Sequence, residues 1–152
     1  MHIIANKPIA SARITGSADA SGLKGTVWFY QMPMGVLVET QIVGLPQNGF
    51  GVYGFHIHEG TSCKGDGFPL TGSHYDPMRR DHPEHAGDLL PLISYGGRAY
   101  SAFITDRFSI QDILGRTVII HSQPDDFRTQ PSGNSGEKIA CGAIQKIPRN
   151  HR

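Results

Sequence analysis

Seven short segments of alternating side chains, cut apart by turn residues, constrain the fold of this chain more than any other feature. They span residues 9–17, 23–31, 36–43, 52–58, 98–105, 117–121 and 138–144. Period-two alternation over this length is the signature of half-buried strands. Gly-Leu-Pro-Gln-Asn-Gly at 44–49, Tyr-Gly-Gly at 95–97 and Gly115 supply turns between them. With 19 Gly and 10 Pro among 152 residues, the composition favours many turns over long helices. No segment sustains a helical period for three turns. The expected class is all-β, an antiparallel sandwich or barrel, with residues 1–152 forming a single domain.

Two stretches, 59–92 and 122–137, do not read as strands. They are long, polar and rich in Gly, Pro, Asp and His, and loops of that length in a small domain are commonly functional. A formal net charge of +1, with no basic run carrying interleaved aromatics, argues against nucleic acid as a partner. No apolar run reaches the roughly 20 residues that span a bilayer, so no membrane partner is expected. The opening residues, Met1 to Pro8, lack the charged start and apolar stretch of a secretory signal. Cys63 and Cys141 are either two buried thiols or one long-range disulfide, the latter worth roughly 4 kcal/mol in the chain-entropy model.

The histidines carry the chemistry. In the segment 52–58, Tyr53, Phe55 and Ile57 share one face, so His56 and His58 project together from the other. Two imidazoles at i, i+2 on a strand can share one metal, although such a pair is often structural. A second cluster is more specific: His74, His82, His85 and Asp88 fall within fifteen residues of one loop. Three imidazoles and a carboxylate complete a tetrahedral zinc shell without cysteine, and a shell filled by protein favours a structural zinc. His121 closes an apolar strand and, taken alone, would read as a satisfied buried histidine. His2 and His151, near the termini, are expected to be solvated.

Taken together, these motifs resemble the copper–zinc superoxide dismutase family from about Ile9 to Ile147. The markers are Gly54-Phe55-His56-Ile57-His58-Glu59, Gly72-Ser73-His74-Tyr75-Asp76-Pro77, His85-Ala86-Gly87-Asp88-Leu89, Gly115-Arg116-Thr117-Val118-Ile119-Ile120-His121 and Ala140-Cys141-Gly142-Ala143-Ile144. The resemblance implies an eight-stranded Greek-key β-barrel or sandwich, immunoglobulin-like, with the metals outside it beneath the two long loops. It implies copper on His56, His58, His74 and His121, and zinc on His74, His82, His85 and Asp88. His74 would be the shared, bridging ring and would take up a proton in the reduced half-cycle. Asp125 would link a copper histidine to a zinc histidine, and Cys63 and Cys141 would form the family's disulfide. The implied reaction turns superoxide into dioxygen and hydrogen peroxide by copper redox cycling. An inactive domain of the same fold would lack a copper ligand, and all four are present. A copper carrier would use a more open, thiolate-rich site.

The chain also departs from the family pattern. Lys138 stands where an arginine usually guides the anion; it keeps the charge but loses the planar fork. The loop 122–137 is short and carries Asp125, Asp126, Arg128 and Glu137 as its only charges. Ser132 takes the place of a threonine beside the copper channel. Only Pro83 and Glu84 separate His82 from His85, and only four residues separate His58 from Cys63, as in the bacterial branch. Gln145 and Lys146 replace the small and apolar groups that the eukaryotic dimer buries, and an unpaired buried lysine is costly. A monomer or a differently built homodimer is therefore expected. A disulfide argues for an exported protein and the visible start of the chain for the cytoplasm, so compartment stays open.

Overall fold

The computed structural model describes residues 6–149; His2 and His151 lie outside them. The described residues form nine strands: β1 (Ala10–Gly16), β2 (Lys24–Met32), β3 (Gly35–Val43), β4 (Val52–Tyr53), β5 (Phe55–His58), β6 (Leu92–Ile93), β7 (Ala99–Thr105), β8 (Thr117–His121) and β9 (Lys138–Lys146). One antiparallel sheet runs β5-β8-β9-β1-β2-β3-β7, and β4 pairs with β6. β6 lies beside β7, and β4 leads into β5 across Gly54 alone. The strands thus curl back towards their starting edge. Counting β4 and β5 as one interrupted strand gives eight.

Each expected strand is present, with its ends moved by at most two residues. Besides the unexpected two-residue strand β6, two features differ from the sequence reading. The segment 52–58 breaks at Gly54, whose N–H donates to the Gln123 carbonyl and whose own carbonyl accepts from the His121 N–H. A Cβ at Gly54 would stand 2.7 Å from Ser135, too close for any other residue to fit unchanged. The second difference is a one-turn helix, α1 (Ile110–Ile113), closed by a capping box between Ser109 and Asp112. One turn is too short to register as a helical period.

The barrel interior is filled by alternate residues, among them Ala10, Ala12 and Ile14 of β1, Val27 and Phe29 of β2, and Val36 and Val38 of β3. β5 and β8 differ in being buried on both faces. Phe55 and Ile57 face the core with Val118 and Ile120. The opposite face carries His56, His58, Thr117, Ile119 and His121, and the two long loops cover it. Ile119 packs there with Phe68 and Cys141, where Cys63 and Cys141 form a disulfide with Cα atoms 5.8 Å apart. That crosslink ties the first loop to β9 across 78 residues.

Candidate metal centre

The first loop is held to β5 by backbone pairing that places its ligands. Tyr75 N–H donates to the Ile57 carbonyl, and Ile57 N–H to the Gly87 carbonyl, both at 2.8 Å. These bonds make short bridges of His58 with His74 and of His56 with Asp88. Loop residues thereby sit beside strand histidines as an added strand would place them. Gly87 permits the approach: a Cβ there would lie 2.2 Å from the Ile57 carbonyl oxygen.

His56, His58, His74 and His121, all buried, each offer one ring nitrogen within 4.8 Å of the others. His58 Nε2 and His121 Nε2 are 3.2 Å apart. A second group, within the same distance, contains His74, His82 and Asp88 together with His56. His85 stands against that group, with Nδ1 3.4 Å from His74 Nδ1 and 3.2 Å from Asp88 Oδ2. These distances put His85 beside the group, with a ring nitrogen close to both His74 and Asp88. His56, like His74, is a member of both groups.

The hydrogen bonds around these rings fix their tautomers. Asp125, buried, accepts from His56 Nε2 at 2.8 Å and from His82 Nε2 at 2.7 Å. His58 Nδ1 donates to the Gly72 carbonyl at 2.9 Å. Each bond leaves the ring's other nitrogen with its lone pair facing inwards. Accordingly His56 Nδ1, His74 Nε2 and His82 Nδ1 are buried with no hydrogen-bond partner. The last is 3.0 Å from Asp88 Oδ2 but is not aligned to donate to it. Buried polar nitrogens without partners are costly, and a metal ion bound at this point removes that cost. The donor sets fit: four imidazoles suit copper, and three imidazoles with a carboxylate suit zinc.

Electrostatics favour the neutral, ligating forms. Burial pushes the His56, His121 and His58 imidazoliums down to about 4, about 3 and about 2. Burial works in the opposite sense on Asp125, but hydrogen bonds from His56, His82 and the Phe127 N–H outweigh it and hold the carboxyl at about 2. Asp88 is likewise lowered, burial being outweighed by His74, His82 and His85. His56, His58 and His121 therefore stay unprotonated, and Asp88 and Asp125 ionised, over the ordinary pH range, the states that metal binding requires.

A cleft of about 680 Å³ opens over His58, His74 and His121, and Lys138 and Ser132 stand on its wall. Lys138 Nζ donates to Thr71 Oγ1 at 2.8 Å and to the Gly72 carbonyl at 3.0 Å. Partial burial lowers its pKa. The Gly72 carbonyl therefore accepts from both Lys138 and His58, a link invisible in sequence because it runs through a backbone atom. Arg80 also lines this cleft; the sequence points to anion-guiding charge only in 122–137 and at Lys138, and gives no sign of Arg80.

The comparisons agree with the geometry. A family model described as copper/zinc superoxide dismutase (SODC) matches residues 23–144. A "Superoxide dismutase [Cu-Zn]" of Deinococcus radiodurans is 34% identical, over 85% of this chain and 81% of its own length. One from Legionella pneumophila is 33% identical, over 80% and 77%. Among solved structures, a double mutant of a SOD-like protein from Bacillus subtilis aligns with a TM-score of 0.74 at 28% identity, covering 89% of this chain and 96% of that one.

Proposed function

The chain belongs to the copper/zinc superoxide dismutase family, and we propose that it converts superoxide to dioxygen and hydrogen peroxide. One observation carries this reading beyond family membership: four buried imidazoles converge on one point, with His56 Nδ1 and His74 Nε2 lacking any other partner. Copper would be held by His56, His58, His74 and His121, and zinc by His74, His82, His85 and Asp88.

Copper, when bound, supplies the one-electron redox change, while zinc has no redox chemistry and holds its ligands in place. The protein supplies the rest. His74 presents Nε2 to the first group and Nδ1, 2.8 Å from Asp88, to the second; Nε2 is the atom at which it would hold a proton. Asp125 keeps the Nε2 protons on His56 and His82, so that both rings would offer Nδ1 to a metal. Lys138 adds positive charge to the cleft that a small anion must enter, and Ser132 adds polar wall beside it. The family's substrate is superoxide, and the near-neutral chain supports no nucleic-acid partner. Among the described residues no helix is long and apolar enough to cross a membrane. Exposed Gln145 and Lys146 at the end of β9 support a monomer or a homodimer built on another face than the eukaryotic one.

Copper and zinc content measured alongside superoxide consumption, with and without added copper, tests the proposal. Copper-dependent consumption is expected. Bound copper without consumption would indicate a carrier, and failure to take up copper an inactive domain; either result overturns the reading.

A further inference from the structure

The four-residue turn His82-Pro83-Glu84-His85 carries two ligands of the zinc group, a tight spacing for one metal. Its backbone is gripped from outside by two side chains. Gln130, in the second long loop, accepts from the His82 N–H through Oε1 at 2.8 Å and donates to the His82 carbonyl through Nε2 at 2.7 Å. This reciprocal pair copies the hydrogen bonding of a β-bridge with a side-chain amide. Arg107, between β7 and α1, donates from one guanidinium nitrogen to the Pro83 carbonyl at 2.7 Å and to the His85 carbonyl at 3.3 Å. Within the turn, Glu84 N–H donates to the Asp81 carbonyl and His85 N–H to Asp88 Oδ2.

We propose that Gln130 and Arg107 are positioning residues for zinc, holding the shortened turn so that His82 and His85 reach one ion together; this rests on the assignment of those histidines as zinc ligands. The physical reason is conformational. A turn free to move would spend its binding energy on ordering two rings at once, whereas a backbone fixed beforehand presents both lone pairs together. Each clamp comes from a separate part of the chain, 48 residues away for Gln130 and 22 to 24 for Arg107. The turn is therefore fixed against two walls. Groups behind metal ligands typically contribute about 10–100-fold to metal affinity, and the clamps should act on that scale.

The test measures zinc affinity by chelator competition in the full chain, in Gln130→Met, Arg107→Met and His82→Ala. Methionine keeps side-chain length and removes the polar contacts. Thermal unfolding of the metal-free proteins and copper affinity are measured in parallel. The expected result is zinc affinity lowered by about 10–100-fold in each methionine variant, with metal-free melting temperature and copper affinity little changed, and partial recovery in Arg107→Lys. His82→Ala should lose more than either. Equal zinc affinity in the parent and Gln130→Met, with His82→Ala weakened, would overturn the clamp alone. Unchanged affinity in His82→Ala would overturn the ligand assignment and the clamp with it. A fall in metal-free stability and in both metal affinities alike would mark the residues as general structural supports, also against the proposal.

Discussion

The copper and zinc groups proposed above share His74 but are built in opposite ways. In the copper group, His56 and His58 stand on β5 and His121 on β8, adjacent strands whose register pairs Phe55 with Ile120 and His58 with Thr117. Three of its four rings are therefore fixed by the barrel itself. Every member of the proposed zinc group comes from one loop, and each is placed by contacts reaching outside it: the Tyr75 bond to β5 beside His74, Asp125 and Gln130 on His82, Arg107 on His85, and the Gly87 bond to β5 beside Asp88. The difference teaches that the proposed copper group rests mainly on hydrogen-bonded strands, whereas the proposed zinc group rests on a loop with little regular structure of its own, where a bound ion would add most to order.

The comparison breaks first at His121. His121→Ala should reduce superoxide consumption to the uncatalysed background while zinc stays bound, read by metal analysis beside the activity assay. Loss of both metals would show that the halves do not separate. Next in size is the crosslink between the first loop and β9. Cys63→Ser should lower stability by about 4 kcal/mol, measured by denaturant unfolding of the metal-free protein, with zinc affinity falling more than copper affinity. Gly133→Ala probes the joint between the halves. Its backbone has φ +71°, and a Cβ would meet Asp125 Oδ1 at 2.0 Å and His82 Nε2 at 2.6 Å. Displacing Asp125 frees His56 and His82 together, so both metal affinities should fall by about 10–100-fold in chelator titrations. The smallest effect is expected from Lys138→Arg. A fork in place of a point charge should raise turnover a few-fold at low ionic strength, the gain fading as salt is added; an equal or lower rate would remove Lys138 from anion guidance.

What the sequence made legible follows the same division. Strand-borne features could be read because they repeat every two residues: Phe55 and Ile57 against His56 and His58 is a pattern within four positions. The single turn Ile110–Ile113 has no period to detect, though Ser109 and Asp112 three positions apart are a capping signal that could have marked it. Loop ligands were visible as a cluster of residue types, and family resemblance supplied their grouping. Their supports were not. Gln130 finds His82 across 48 residues, Arg107 binds carbonyls rather than side chains, and the Gly72 carbonyl serves His58 and Lys138 at once. Backbone acceptors leave no trace in residue identity. The pairing of Cys63 with Cys141 was likewise open on residues alone, since two cysteines far apart are equally consistent with free thiols.

One ring, His74, is proposed to serve both metals, and magnetic coupling tests this most directly. The zinc site would be filled with cobalt(II), a spectroscopic substitute for zinc, and copper(II) titrated in while the copper electron paramagnetic resonance signal and the cobalt visible bands are followed. The account predicts that copper binding shifts the cobalt bands and that the copper signal is quenched in the doubly loaded protein, because a shared imidazolate couples the two spins. An undiminished copper signal with unmoved cobalt bands, at full occupancy of both, would contradict it.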